Sequence, residues 1–426
     1  HNPRLLATML EDWENRPTLI PHDYVVTNAL PPAGTLVGLD TETDNHGGIG
    51  RWSIAWRGLD GKLYVRSKPG PEATFPTKQF VVVAHNMKYD YRELAANGME
   101  TPGVTKQHDS MVMGYCMGYG KQAPSDAGKE KSGSDMVGGL GLKYLARRLL
   151  GMNMRTWLEV KDHPEEQKEY NADDSVATLL LAETWLPILP KHYFDIDMPL
   201  LPVLMKMEDR GVLIDETYLN EFARELDVAL AKFDLPINVH APQDIQSYIY
   251  GTLEVEPWVF TDTGAPSTDA DTLEEVYEKT KDELVQQILD YKRLYKDKGT
   301  YVDNYVKGRD DMGRIHPEFK QTSTTTSRLS CARPNLQNVF KRDDRVKLRS
   351  LFVASPGCLL VRMDYNQLDY RALAAITGDP ILIAALNANK KIHQVTADEL
   401  GISYDNAKTI NFAVLFGAEA WKVSQT

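Results

Sequence analysis

The sequence predicts an α/β domain at its N-terminal end, then a mostly helical stretch, then a mixed α+β region. Three observations predict this. Up to about residue 190, short apolar runs such as Leu36–Leu39 and Phe80–Ala84 alternate with helical patterns at Leu140–Leu150 and Asp173–Trp185, the alternation of an α/β domain. Four prolines, Pro187, Pro190, Pro199 and Pro202, punctuate a boundary, after which Leu200 to about Val306 reads as helical. A strand-rich segment begins near Arg314, and helix returns after Tyr370.

Individual elements follow from local chemistry. Thr35-Leu36-Val37-Gly38-Leu39-Asp40-Thr41-Glu42 and Leu359-Leu360-Val361-Arg362-Met363-Asp364 are brief apolar runs ending in carboxylates, each expected to be a buried strand with acids at its mouth. Such acids are costly to desolvate unless a cation or hydrogen bonds hold them. Lys121–Gly139, rich in Gly, Ser, Asp and Lys, reads as a loop. Breaks are expected near Pro236, Pro242 and Gly264-Ala265-Pro266, and Thr272-Leu273-Glu274-Glu275 has capping-box spacing for the start of a helix. At 426 residues the chain is too long for one core. No membrane-span or signal pattern is evident, so no membrane partner is expected, and three scattered cysteines fit a reducing, cytoplasmic setting.

The net charge of −12 is unevenly spread. Tyr291–Ser350 carries 15 Lys or Arg against 7 Asp or Glu on an otherwise acidic chain. One basic tract fits a surface that grips a polyanion; a solvated charged helix fits the same numbers.

Residues two apart on a strand face the same side, so Asp40 and Glu42 converge. Alone, an Asp-x-Glu is weak evidence and more often a solvated strand end. Two further elements add to it. His85-Asn86-Met87-Lys88-Tyr89-Asp90 follows the apolar Val81-Val82-Val83-Ala84, and Tyr170-Asn171-Ala172-Asp173-Asp174 opens a helical run that puts Tyr170 and Asp174 on one face. Four acids from three elements are what a pair of divalent cations about 4 Å apart requires. The series Asp40/Glu42, Asn86/Asp90, Tyr170/Asp174 resembles the three exonuclease motifs of the DEDD nucleases in their tyrosine form. The resemblance implies an RNase H-like 3′→5′ exonuclease domain with Asp40, Glu42, Asp90 and Asp174 as metal ligands, Tyr170 orienting the attacking water and Asn86 contacting DNA. Asp173, off the motif spacing, is expected to be solvated.

The stretch Asp364-Tyr365-Asn366-Gln367-Leu368-Asp369-Tyr370-Arg371 resembles motif A of the family A DNA polymerases, the bacterial DNA polymerase I group. Thr326-Ser327-Arg328-Leu329-Ser330 and Pro334-Asn335-Leu336-Gln337-Asn338 resemble that family's template-primer segment, and Lys408 through Gly417 its nucleotide-binding fingers helix. Lys408, Phe412 and Phe416 fall on one helix face, a pattern that core packing also produces. The resemblance implies that Asp364 is a catalytic metal ligand, that Gln367, Asp369, His393, Lys408, Phe412 and Phe416 bind nucleotide, and that Arg328, Gln337 and Asn338 grip DNA. Without the resemblance, His393 would read as a surface residue with no role.

The chain departs from that family in three places. The steric-gate glutamate is Asp369, the arginine expected before the fingers lysine is Tyr404, and nothing up to Thr426 matches the element that supplies the second catalytic acid. The expectation is therefore a complete exonuclease site and half of a polymerase site, in a phage-like architecture. The expected divisions are an exonuclease domain at 1–195, a helical thumb at 196–305, the first part of an α+β palm at 306–388 and the start of helical fingers at 389–426, in a right-hand polymerase. The implied cofactor is Mg²⁺, two per active site, with Mn²⁺ able to substitute. The implied partners are primer-template DNA, single-stranded 3′ ends and dNTPs, with further sequence or a second polypeptide completing the polymerase site. The alternative is a stand-alone exonuclease whose polymerase-like half clamps DNA.

Overall fold

The computed structural model describes residues 23–44, 46–120, 139–261, 263–339, 348–415 and 417. The expected loop at Lys121–Gly139 (apart from Gly139), the basic residues Lys341 to Lys347 and Phe416 lie outside them. The chain forms two compact units, His1–Val353 and Ala354–Thr426. The division falls within the stretch expected as palm.

The first unit is built on a six-stranded sheet in the order β1-β4-β3-β2-β5-β6. Its strands are β1 (Val25–Val26), β2 (Leu36–Thr43), β3 (Ile49–Arg57), β4 (Leu63–Pro69), β5 (Val81–Ala84) and β6 (Gln107–Asp109). β2 is central, antiparallel to β3 and parallel to β5. Helices α1 (Met87–Ala96), α2 (Ser110–Cys116), α3 (Leu142–Leu150), α4 (Trp157–Val160) and α5 (Gln167–Trp185) follow, with α6 (Met198–Arg210) beyond them. The core includes Val37, Leu39, Trp52, Ile54, Val83, Leu145, Val176, Leu179 and Trp185.

Gly38 decides how closely α5 packs on β2. A Cβ there would collide with the Ser175 carbonyl oxygen and lie 2.9 Å from the Leu179 nitrogen. Only glycine lets the helix backbone seat directly on the strand. α5 is consequently buried on almost every side, from Tyr170 through Ala182. That explains one difference from expectation: Asp173 is buried, not solvated, because the helix has no solvent-facing side at that point. The Tyr24 hydroxyl donates to its Oδ1 at 3.3 Å.

Pro187 and Pro190 do fall between helices, whereas Pro199 and Pro202 lie within α6. The helical turn Tyr193–Asp197 leads directly into α6, so Pro199 and Pro202 both sit in a helical run already under way and each lacks an N–H for its ladder. The helix expected at Thr272 begins at Ala270, with Asp269 as its N-cap accepting from the Thr272 nitrogen at 2.8 Å. The better capping side chain sits three residues before the threonine. The segment from Arg314 holds only short strands, Arg314–Ile315, Glu318–Lys320 and Ser330–Ala332.

The second unit holds four helices, Leu368–Thr377, Pro380–Asn387, Ile392–Leu400 and Tyr404–Leu415, among its described residues. The strand expected to end at Asp364 is absent. Cys358–Tyr365 is irregular, with Leu359 and Met363 almost fully exposed. A strand needs a ladder partner for its backbone groups, and this unit has no other strand among its described residues. No helix among the described residues is long and apolar enough to cross a membrane.

Candidate active site

The packing of α5 on β2 brings acids from distant parts of the chain together. Carboxylate oxygens of Asp40, Glu42 and Asp174 all lie within 4.8 Å of one another. Asp40 and Glu42 come from alternate positions of β2, as the strand period requires. Asp174 comes from the second turn of α5.

Asp90, from the first turn of α1, is fixed one step away. Its Oδ1 accepts from the Thr41 nitrogen at 3.0 Å and the Thr41 hydroxyl at 2.8 Å, so the residue between the two β2 acids holds the fourth acid in place. α1 is itself anchored by Asp109 at the end of β6. That buried carboxylate accepts from the nitrogens of Asn86, Met87, Met111 and Val112 and so joins the N-termini of α1 and α2. Asn86 takes left-handed φ of 71° to begin α1, a conformation asparagine tolerates.

The cluster is electrostatically strained. Burial, then the neighbouring charges of Asp174, Glu42 and Asp90, push the Asp40 carboxyl well above the usual carboxylate range. Burial pushes Asp90 up to about 7, against the two bonds from Thr41. An all-oxygen donor set crowded enough to resist ionisation is suited to a hard divalent cation, which would restore the charged forms. Cys116, His192 and Asp197 also bring ligand atoms together, as a mixed sulfur, nitrogen and oxygen group outside the motifs.

Three neighbours carry no signal in the motif spacings. The Asn171 side-chain amide donates to Asp40 Oδ2 at 2.6 Å, and the Lys143 ammonium pairs with Asp174. Lys143 also lies 4.1 Å from the centroid of the Tyr170 ring, and the Trp157 ring stands 5.9 Å from it on α4. Asn171, inside a motif already quoted, was within reach of helix geometry, being three residues before Asp174 and so on the same helix face. Lys143 and Trp157 were not, because only the fold brings α3 and α4 to α5.

Lys88, within the second motif, faces away from the acids. It is buried, donates to Glu208 Oε1 at 2.6 Å and bonds the Phe319 carbonyl, while Arg92 donates to Glu208 Oε2 at 2.7 Å. These contacts tie α1 to α6, which carries Glu208 near its C-terminal end.

Of the residues assigned to DNA in this unit, Gln337 donates to the Leu329 carbonyl at 3.0 Å and the Asn338 carbonyl accepts from Tyr301 at 2.8 Å. The Arg328 carbonyl accepts from Thr324 at 2.7 Å. All three side chains remain exposed.

In the second unit, Gln367, His393, Lys408 and Phe412 share one neighbourhood. Gln367, in left-handed φ of 52°, donates to the Lys390 carbonyl and accepts from the Ile392 nitrogen, so it pins the start of the His393 helix. His393 is not an isolated surface residue. Its ring lies 5.2 Å from Phe412, 5.5 Å from Tyr370 and 5.8 Å from Tyr404, and its Nδ1 is 3.2 Å from the Asn411 amide nitrogen. An amide nitrogen donates, so in this arrangement Nδ1 is the acceptor of the contact. Burial and then the Lys408 charge hold the imidazole below its usual range. Tyr404 thus contributes an aromatic edge where an arginine was expected. Asp364 lies on the exposed irregular stretch, and Asp369 sits in the first turn of the Leu368–Thr377 helix.

Residues 216–426 match the family model described as DNA polymerase family A. The chain is 30% identical over 393 residues to DNA polymerase I of Rhizobium leguminosarum, a match covering 83% of this chain and 36% of that protein. It is 34% identical over 255 residues to the thermostable DNA polymerase I of Thermus aquaticus, covering 55% and 30% respectively. The chain spans well under half the length of these curated relatives. In fold it is similar to the POL domain of Pol1 from M. smegmatis, solved in complex with DNA primer-template and dNTP, with a TM-score of 0.65, 23% identity, and coverage of 92% of this chain and 70% of that one. Residues 216–426 are thus similar to the family A DNA polymerases.

Proposed function

We propose that the chain is part of a family A DNA polymerase whose first unit carries a proofreading 3′→5′ exonuclease site. The observation that carries this reading is the convergence of Asp40, Glu42 and Asp174, with Asp90 held by Thr41 beside them. Bound there, Mg²⁺ or Mn²⁺ would supply a hydroxide nucleophile at neutral pH and stabilise the departing 3′ oxygen. Asp40, Glu42, Asp90 and Asp174 would hold the ions. Asn171 fixes the rotamer of Asp40, and Thr41 that of Asp90, so the ligands are preorganised. The phenol of Tyr170, packed against Trp157, would orient the attacking water, and Asn86, at the start of α1, would contact the terminal nucleotide.

In the second unit, Gln367, Asp369, His393, Lys408 and Phe412 would form the nucleotide-binding surface. Lys408 would meet phosphate as a point charge, and Phe412 would present a ring to sugar and base, with Phe416 as a further nucleotide contact. Asp364 would ligate metal at the polymerase centre, and Arg328, Gln337 and Asn338 would grip primer-template DNA. The domain reading at 195, 305 and 388 belongs to the same proposal.

The test is hydrolysis of a labelled single-stranded oligonucleotide in Mg²⁺. Asp40→Ala combined with Glu42→Ala should lower the rate by several orders of magnitude while the protein stays folded. Undiminished hydrolysis by the double variant would remove the site from consideration.

A further inference from the structure

The acid cluster contains a cation of its own. Lys143 occupies the first turn of α3, whose neighbouring positions Leu142, Leu145, Ala146 and Leu150 are buried and fix the backbone. Its side chain is only 13% exposed. The ammonium pairs with Asp174 Oδ1 and sits over the face of Tyr170. It is the basic residue whose charge offsets those of Asp174, Glu42 and Asp90 around Asp40. Lys143 therefore touches both residues of the third motif and neutralises the site's most crowded acids.

That placement has a consequence for any metal. A divalent ion ligated by Asp174 needs the carboxylate that the ammonium already engages, and two cations a few ångströms apart repel. Like charges at that separation repel strongly in a partly buried site, and a divalent ion doubles the effect. Metal binding must therefore move the ammonium off Asp174. The flexible four-carbon stem allows the move while Cα stays in place. The anion nearest to a displaced ammonium would be the phosphate of a DNA strand entering the same acidic site, where unscreened carboxylates alone would repel it.

Resting on the nuclease reading above, we infer that Lys143 is a positioning residue that serves as an exchangeable counter-cation: it yields Asp174 to the divalent metal and transfers its ionic contact to the scissile phosphate of the bound DNA. Two opposite effects follow. Removing the charge strengthens metal binding and weakens DNA binding.

The experiment compares the parent protein with Lys143→Met, Lys143→Arg and the Asp40→Asn/Glu42→Gln double variant. Mn²⁺ affinity is measured by electron paramagnetic resonance. In parallel, the affinity for a short single-stranded oligonucleotide with 3′-terminal phosphorothioates is measured in Ca²⁺. Lys143→Met should bind Mn²⁺ about tenfold more tightly or better, by the repulsion above, and bind the oligonucleotide several-fold more weakly. Lys143→Arg should stay near the parent in both, since it keeps the charge. Unchanged or weaker Mn²⁺ binding in Lys143→Met, with Lys143→Arg folded and parent-like, overturns the inference alone. Mn²⁺ binding to the parent that survives the Asp40→Asn/Glu42→Gln change overturns the nuclease reading and this inference with it.

Discussion

The Asn171 side-chain amide donates to Asp40 Oδ2 at 2.6 Å, while its own backbone carbonyl accepts from the Ser53 hydroxyl at 2.7 Å. One residue of α5 thus bonds β2 through its side chain and β3 through its backbone, and it orients an acid of the proposed metal site. Asn171→Ala should raise the Mg²⁺ concentration needed for half-maximal hydrolysis by about 10- to 100-fold, the usual loss when the outer partner of a metal ligand is removed. A metal titration of activity checks this, and an unmoved midpoint would mean that Asp40 is oriented by other groups.

The seat of α5 on β2 predicts a stability effect at a residue with no side chain. Gly38→Ala must push the helix off the strand and should cost about 1–3 kcal/mol or more, as overpacking does. Gly251→Ala is the control, because a Cβ there meets nothing within 4 Å. Thermal or urea unfolding of the two variants should separate them clearly. Gly38→Ala should also lower hydrolysis, since the shift carries Asp174 away from Asp40.

Much of this was legible in the chain. The alternation of apolar and acidic residues in Leu36–Thr43 gave both a central strand and two converging acids, because the strand period is a local property. The pairing of Tyr170 with Asp174 followed equally from the helical period. Lys143, Trp157 and the burial of Asp173 were not legible, since each depends on which helices meet, and motif spacing says nothing of that. Leu359–Val361 failed for a related reason: apolar composition licenses a strand only where another strand completes its ladder, and the described part of the second unit offers none.

The buried pair Lys88–Glu208 links α1, which carries Asp90, to α6. Glu208→Gln, which leaves the buried Lys88 ammonium without a carboxylate, should cost about 3–5 kcal/mol, and Lys88→Met should cost less, because Arg92 still pairs with Glu208. The combined variant should recover part of that loss. A double-mutant cycle by urea unfolding measures the coupling, and strict additivity of the two losses would show that the residues act independently.

The raised carboxyl of Asp90 makes stability depend on pH in a defined direction. An unfolded aspartate titrates near 4, roughly, whereas Asp90 in the folded protein titrates at about 7. The folded state holds the proton more tightly. The favourable contribution is full below the unfolded value and is lost as pH rises to about 7. In EDTA, melting temperature should therefore decline between pH 4 and 7 more steeply for the parent than for Asp90→Asn. Mn²⁺ should stabilise the parent more at pH 8 than at pH 5, because the ligands must be deprotonated. Parallel pH profiles for parent and variant would refute the assignment.

The central claim, that the first unit removes nucleotides from DNA 3′ ends at the Asp40–Glu42–Asp174 cluster, is tested most directly by one time course. A single-stranded oligonucleotide labelled at its 5′ end is incubated with the protein and Mg²⁺, and the products are resolved by length. The products should form a ladder shortening one nucleotide at a time with the label retained, stopped by EDTA. Early release of the label as a mononucleotide, or internal fragments without the intermediate ladder, would contradict it.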